Sequence, residues 1–332
     1  MQPIQTKAES SKAAASTRVD FEPEIAALKK KLNAVILAHY YQDDEIQDLA
    51  DFVGDSLELA RRAAETTADV IVFCGVRFMA EGAKILNPDK LVLIPDMKAG
   101  CSLEDSCPPA AFKAFKEAHP DHLVVTYINC SAEVKALSDI IVTSSNAEAI
   151  INQLPADQKI IFAPDKYLGA WLNKKTGRNM LLWNGTCMVH ERFSEQELVK
   201  LKTRHPHADI IAHPECPEAL LRYAHHVGST SSLIRYAEAN PGKEFIVLTE
   251  PGIFHAMKKR SPGSVFHPVG FMDGGACVSC NNCPYMKLNT LEKIYHCMRD
   301  QSPKLELSAE LIQQARKPLD RMLEMSRSIA RH

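Results

Sequence analysis

Short apolar runs alternate with amphipathic stretches along this chain, and they do so three times in nearly the same order. In the first round AVILAH (34–39) has the length and branched content of a buried strand. EIQDLADFV (45–53) and SLELARRAAETT (56–67) read as helices, and DVIVFCG (69–75) and KLVLIPD (90–96) are strands again. The second round runs HLVVTYI, AEVKALSDIIVTS, NAEAIINQL, KIIFAPD and NMLLWNG; the third runs DIIAHPE, ALLRYAHHV, SSLIRYAEAN, EFIVLTE and SVFHPV. Strands separated by helical stretches predict parallel sheets covered by helices. The expected fold is therefore α/β, with three homologous three-layer αβα domains on short parallel sheets, arranged around a pseudo-threefold axis.

Polar residues keep their register from round to round. His39, Tyr127 and His213 end the first strand of each, 88 and 86 residues apart. Two positions later come Tyr41, Asn129 and Glu215; seventeen positions after the strand ends come Ser56, Ser144 and Thr230; nineteen further come Gly75, Ala163 and Thr249. Polar groups at the C-terminal ends of parallel strands face the crevice where such sheets bind ligands. A hydroxyl at a helix start can cap it, and free N–H groups there can hold an anion. Taken singly, each of these hydroxyls reads as a cap. Their threefold coincidence with strand-end polar groups favours a cleft for a substrate with several negative groups.

A cysteine follows each polar pair at a similar distance: Cys101, Cys187, then one of Cys277, Cys280 and Cys283. Three thiolates brought to one point suit an iron–sulfur cluster with one iron left open as a Lewis acid. The local run GGACVSCNNCPYM has no fourth cysteine until Cys297 and no second CxxC unit for zinc, so it looks incomplete on its own. His39 to Cys101 spans 62 residues and Tyr127 to Cys187 spans 60, whereas His213 to Cys277 spans 64 and to Cys283 spans 70. Spacing therefore favours Cys277, weakly, because loop insertions are easily tolerated. Glu215 is a candidate general base and Tyr41 a candidate proton carrier. Cys74, Cys130 and Cys216, in or beside apolar strands, read as small core residues. His190–Glu191 is not a zincin motif, since Ser194 stands where the second histidine would be.

The bulk properties narrow the picture further. A length of 332 residues exceeds what one core usually supports. The boundaries expected are 1–20 as a disordered or loosely packed extension, 21–108, 109–192 and 193–288 as the three repeats, and 289–332 as helices packing back on the first. In that last segment Thr290 and Ser308 can cap helices, and Pro318 is expected to interrupt or restart the second. A formal charge of −2 offers no footprint for nucleic acid, and no apolar run reaches membrane-spanning length. Ten cysteines without a signal-peptide pattern point to a cytoplasmic protein using them as metal ligands or redox groups.

Ten short stretches together resemble one known family. They are AHYYQ (38–42), GDS (54–56), CGVRFMAE (74–81), AGCSL (99–103), YIN (127–129), TSSNA (143–147), PDKYLG (164–169), HPEC (213–216), GST (228–230) and CPYM (283–286). The family is that of the quinolinate synthases, iron–sulfur enzymes of bacterial NAD biosynthesis, and the resemblance runs from about residue 20 to the C-terminus. It implies condensation of iminoaspartate with dihydroxyacetone phosphate to quinolinate, phosphate and water, with functional coupling to L-aspartate oxidase. It also implies one [4Fe-4S] cluster on Cys101, Cys187 and Cys283, overruling the spacing. Cys277 and Cys280 would be a redox-sensitive pair. Substrate would be held by His39, Ser56, Tyr127, Asn129, Ser144, His213 and Thr230, protons handled by Tyr41 and Glu215, and the cluster pocket lined by Met286. Gly82 stands where the family usually has Thr, which implies a local packing change only. A hydro-lyase acting on a hydroxy-dicarboxylate would share the open iron without needing a phosphate site. A redox sensor would need a regulatory partner domain.

Overall fold

The apolar runs close into three four-stranded sheets, each wholly parallel and each in the order second–first–third–fourth strand. The computed structural model describes residues 20–273, 276–278 and 281–329. The first module is α1 (Glu22–Leu32), β1 (Ala34–His39), α2 (Asp44–Leu49), β2 (Phe52–Gly54), α3 (Ser56–Glu65), β3 (Val70–Cys74), α4 (Arg77–Leu86), β4 (Leu91–Leu93) and α5 (Ser102–Asp105). The second repeats this order with α6 (Pro109–Glu117), β5 (Leu123–Tyr127), α7 (Ala132–Leu137), β6 (Ile140–Val142), α8 (Ala147–Gln153), β7 (Ile160–Ala163), α9 (Lys166–Thr176), β8 (Leu181–Leu182) and α10 (Met188–Glu191). The third follows with α11 (Glu195–Arg204), β9 (Asp209–Ala212), α12 (Glu218–Leu221), β10 (His226–Val227), α13 (Thr230–Ala239), β11 (Glu244–Leu248), α14 (Ile253–Arg260) and β12 (Val265–Pro268). The α/β class and the three parallel sheets are as the sequence pattern predicts.

One helix expectation is corrected. The stretch 45–53 is helical only to Leu49; Phe52–Gly54 then pairs in parallel with β1 as an edge strand. A side-chain clasp starts this strand. Asp51 accepts a hydrogen bond from the Ile36 N–H at 2.8 Å, Asp139 from Val124 at 2.7 Å, and the His225 ring from Ile210 at 2.9 Å, once per module. A strand of two or three residues is too short to carry a period of its own, which is why the pattern missed it.

After β12 the third module adds something the others lack, an antiparallel hairpin of β13 (Phe271–Asp273) and β14 (Ala276–Val278). A 3-10 turn (Met286–Leu288) and helices α15 (Leu291–Asp300) and α16 (Ala309–Ile329) complete the described chain. Thr290 caps α15 through the Lys293 N–H, and Ser308 caps α16 through Leu311. Pro318 does not interrupt α16. A proline there forfeits a backbone hydrogen bond, but Ala315, Leu319 and Met322 are fully buried on either side of it, so packing holds the helix together. Helix α15 lies on α1 and β3 of the first module, whereas α16 crosses α7, α8 and β6 of the second as well as α4.

Two glycines show opposite demands. At Gly252 an added Cβ would lie 2.8 Å from the Tyr41 Cα, so the third module presses its bare backbone against the first. Gly82, inside α4, has nothing within 4 Å of such a Cβ and borders a small apolar cavity lined by Phe73, Met79, Ile128 and Leu319. Gly82→Ala should therefore stabilise the protein by about 1 kcal/mol through helix propensity, read as a higher denaturant midpoint with unchanged slope. A lower midpoint would show that the space is needed.

Candidate active site

The three first strands deliver His39, Tyr127 and His213 to one cavity of about 700 Å³. Strands β1, β5 and β9 are central, and the chain crosses over between them and β3, β7 and β11, so these ends open at the switch point of each sheet. Both histidines use the same local geometry. His39 Nδ1 accepts the Tyr41 N–H at 3.1 Å, and His213 Nδ1 accepts the Glu215 N–H at 3.4 Å. Burial holds the His39 imidazole down at about 4 and the His213 imidazole down at about 3, so both are neutral at pH 7. A neutral ring that accepts at Nδ1 carries its proton on Nε2. Each Nε2–H is thus a fixed donor, and that of His213 lies 3.3 Å from the Ser144 hydroxyl.

The hydroxyls do not act as caps. Asp55 caps α3, taking the Leu57 and Glu58 N–H groups, and Ser229 caps α13 through Ser232. Ser56 and Thr230 are the first helical residues, with Ser144 in the turn before α8, and all three line the cavity. The cap residue Asp55 does a second job. Its Oδ2 accepts Ser145 at 2.5 Å and Ser231 at 2.7 Å, tying the first turns of three modules together beneath the cavity wall. Asn129 also lines the cavity, and its buried Oδ1 has no hydrogen-bond partner in the protein, as expected of an atom kept for a ligand.

Cys101, Cys187 and Cys283 line the same cavity, one from each module, together with Met286. Each precedes a helical turn whose N–H groups point at the sulfur: those of Leu103 and Glu104 at Cys101, His190 at Cys187, and Tyr285 and Met286 at Cys283. Burial raises all three thiols, that of Cys283 to about 11, so a cation must arrive for them to ionise. Donor set and N–H···S pattern fit a thiolate-held metal group. The CPYM segment is anchored by Glu250, which accepts the Cys283 N–H at 3.3 Å, and by Lys287, which donates to the Tyr41 carbonyl and Asp43, each at 2.9 Å. Backbone of Cys277 lies in β14; its side chain and all of Cys280, hence their suggested redox pairing, fall outside the described residues, as does the N-terminal segment 1–19. Cys74, Cys130 and Cys216 are fully buried core residues.

A hydrogen-bonded chain links the remaining candidates. Tyr127 donates to Glu215 Oε1 at 2.6 Å; Glu215 Oε2 is 2.9 Å from His190 Nδ1; His190 Nε2 is 3.0 Å from the Thr249 hydroxyl; and Thr249 is 2.6 Å from the Tyr41 hydroxyl. Tyr41 also reaches Thr230 at 3.1 Å. Burial alone would push the Glu215 carboxyl up, but His190 beside its Oε2 and the Tyr127 hydroxyl on its Oε1 reverse it and hold it below the usual carboxylate range. Burial keeps both tyrosines well above theirs, so they remain hydroxyls. Asp165, buried nearby, is raised by burial and then by the Glu215 charge.

His190 and Thr249 were not among the expected site residues. Thr249 carried a signal, being the only polar residue at a register filled elsewhere by Gly75 and Ala163. His190 follows Cys187 by one helical turn, which returns its ring to 3.3 Å from the thiol.

The molecule is an enzyme of the α/β class whose reaction chamber is shared by three modules and whose thiol and imidazole donors suit a metal cofactor. Its family follows from its sequence: the model of the quinolinate synthetase A protein family matches residues 23–324, and the chain belongs to that family. A quinolinate synthase of Prochlorococcus marinus (strain MIT 9303) is 61% identical over 310 residues, 93% of this chain and 92% of the relative. One of Ehrlichia chaffeensis is 61% identical over 303 residues, 91% and 96% of the two chains, and one of Nostoc sp. is 59% identical over 308, 93% and 94%.

Proposed function

We propose that this chain condenses iminoaspartate with dihydroxyacetone phosphate to quinolinate, phosphate and two molecules of water, as a step of NAD biosynthesis. Cys101, Cys187 and Cys283 hold a [4Fe-4S] cluster in this reading. The observation that carries it is the convergence of those three thiols, one per module, on the cavity that also holds the paired neutral histidines and the Glu215 chain. The like order of elements in the three modules supports their arrangement about a pseudo-threefold axis. When bound, such a cluster leaves one iron without a protein ligand, a Lewis acid for a substrate oxygen or nitrogen.

The chain's own residues do the rest. His39 and His213 donate Nε2–H to substrate carboxylate or phosphate oxygens without carrying charge. Ser56, Ser144 and Thr230 add hydroxyl donors, and Asn129 Oδ1 accepts from substrate N–H or O–H. Ionised Glu215 takes the C–H proton of the bound dicarboxylate, and Tyr127 steadies its other oxygen. Thr249 and His190 connect Glu215 to Tyr41, so a proton taken at one end can be given to a leaving hydroxyl at the other. The imine is short-lived in water, and an L-aspartate oxidase in the same cytoplasm would supply it. Among the described residues no helix is long and apolar enough to cross a membrane.

The test is to give anaerobic enzyme iminoaspartate generated in place from aspartate, with and without dihydroxyacetone phosphate, and follow pyridine-ring absorbance. Quinolinate should form only with the triose phosphate. Dehydration of a hydroxy-dicarboxylate without it, and no quinolinate, would replace this reading with a hydro-lyase.

A further inference from the structure

At the opposite end of the third sheet from the cavity, three side chains converge that the reaction does not use. His205 ends α11, Glu244 opens β11 and His267 lies in β12. Because Glu244 pairs with Val265 and Ile246 with His267, Glu244 and His267 are diagonal neighbours on one face of adjacent parallel strands. The helix places His205 over them. His205 Nδ1 lies 2.7 Å and His267 Nε2 lies 3.2 Å from the same oxygen, Glu244 Oε2, and the rings stack with centroids 3.8 Å apart.

Protons alone can hold two imidazoles on a single carboxylate oxygen, which has two lone pairs, but doubly protonated the stacked rings would repel each other across van der Waals distance. A cation placed among the three would satisfy all of them at once. Glu244 Oε2 already stands 2.7 and 3.2 Å from the two ring nitrogens and all three donor atoms lie within 4.8 Å of one another, against about 3.3 Å between donors on a tetrahedral zinc, so only the two imidazoles need to adjust.

The geometry points to a second metal site, one that binds a borderline divalent cation such as Zn²⁺ through His205, Glu244 and His267, with water completing the shell. Two imidazoles and one carboxylate select zinc, nickel, cobalt or copper over calcium or magnesium, which take oxygen ligands. The metal would clip the end of α11 to β11 and to β12, the edge strand of its sheet.

The test uses anaerobic, cluster-loaded enzyme carrying Cys277→Ser and Cys280→Ser, so that those thiols cannot compete. ZnCl₂ is titrated calorimetrically, bound metal is counted after desalting, and the melting temperature is recorded with and without zinc. One zinc per chain beyond the iron is expected, with a higher melting temperature. His205→Gln and His267→Gln, each made separately, should weaken binding at least tenfold and abolish the thermal shift while leaving turnover unchanged, since neither residue lines the cavity. No zinc uptake by the parent, or uptake that both variants retain, would overturn the site. If one variant fails to accumulate as folded protein, the other decides, because the two lie on different elements.

Discussion

Serine at Cys101, Cys187 or Cys283 is expected to abolish quinolinate formation, whereas serine at Cys277 should leave it near the wild-type rate. Losing an outer-shell partner of a metal typically costs 10–100-fold, and losing a direct thiolate ligand, the role proposed for each of the three, costs more. The three positions are equivalent in kind. Each sulfur faces the cavity and receives N–H groups from the helical turn behind it. Serine is close in size to cysteine, so the variants should keep the far-UV spectrum and melting behaviour of the metal-free wild type while losing the broad cluster absorbance. Full activity in Cys283→Ser with none in Cys277→Ser would return the third ligand to the position that spacing favours.

Glu215→Gln should lower turnover by about 10²–10⁴-fold, the usual contribution of a positioned base, with little change in protein stability or cluster content. The amide keeps the shape of the side chain and can still meet Tyr127 and His190, but it cannot take a proton. The carboxylate is held ionised within a buried site by His190 and the Tyr127 hydroxyl, so its basicity is set by partners the variant retains. The readout that separates chemistry from binding is the split between kcat and KM. A fall confined to kcat supports the base, and an unchanged kcat with raised KM would reduce Glu215 to a substrate-holding group.

How far these sites were legible in the chain differs from residue to residue. His39, Tyr127 and His213, with Ser56, Ser144 and Thr230, could be read because strand ends and helix starts recur at a fixed interval, and all six line one cavity. For the third cysteine, counting favours Cys277, whereas the one that lines the cavity among the described residues is Cys283. The hairpin spanning Phe271–Val278 is an insertion the first two modules lack, and it lengthens the third interval to 70 residues against 62 and 60. Cys277, which spacing favours, lies within that insertion. Capping was assigned one residue late: Asp55 and Ser229, not Ser56 and Thr230, take the N–H groups, which frees the latter hydroxyls for the cavity. His190 was hidden for a different reason. Its partners Glu215 and Thr249 come from another module, and no local pattern announces a contact between residues so far apart in sequence.

Iron and acid-labile sulfide counted on anaerobically purified wild-type protein test the central claim most directly, that three modules each lend one thiolate to a single cluster in the shared cavity. About four of each per chain is the predicted result. A rival stoichiometry has a physical home, because Cys187, His190 and Glu215 place donor atoms within 4.8 Å of one another and could hold a lone metal ion. One metal per chain with no sulfide would contradict the cluster and leave Cys101 and Cys283 without the role assigned to them.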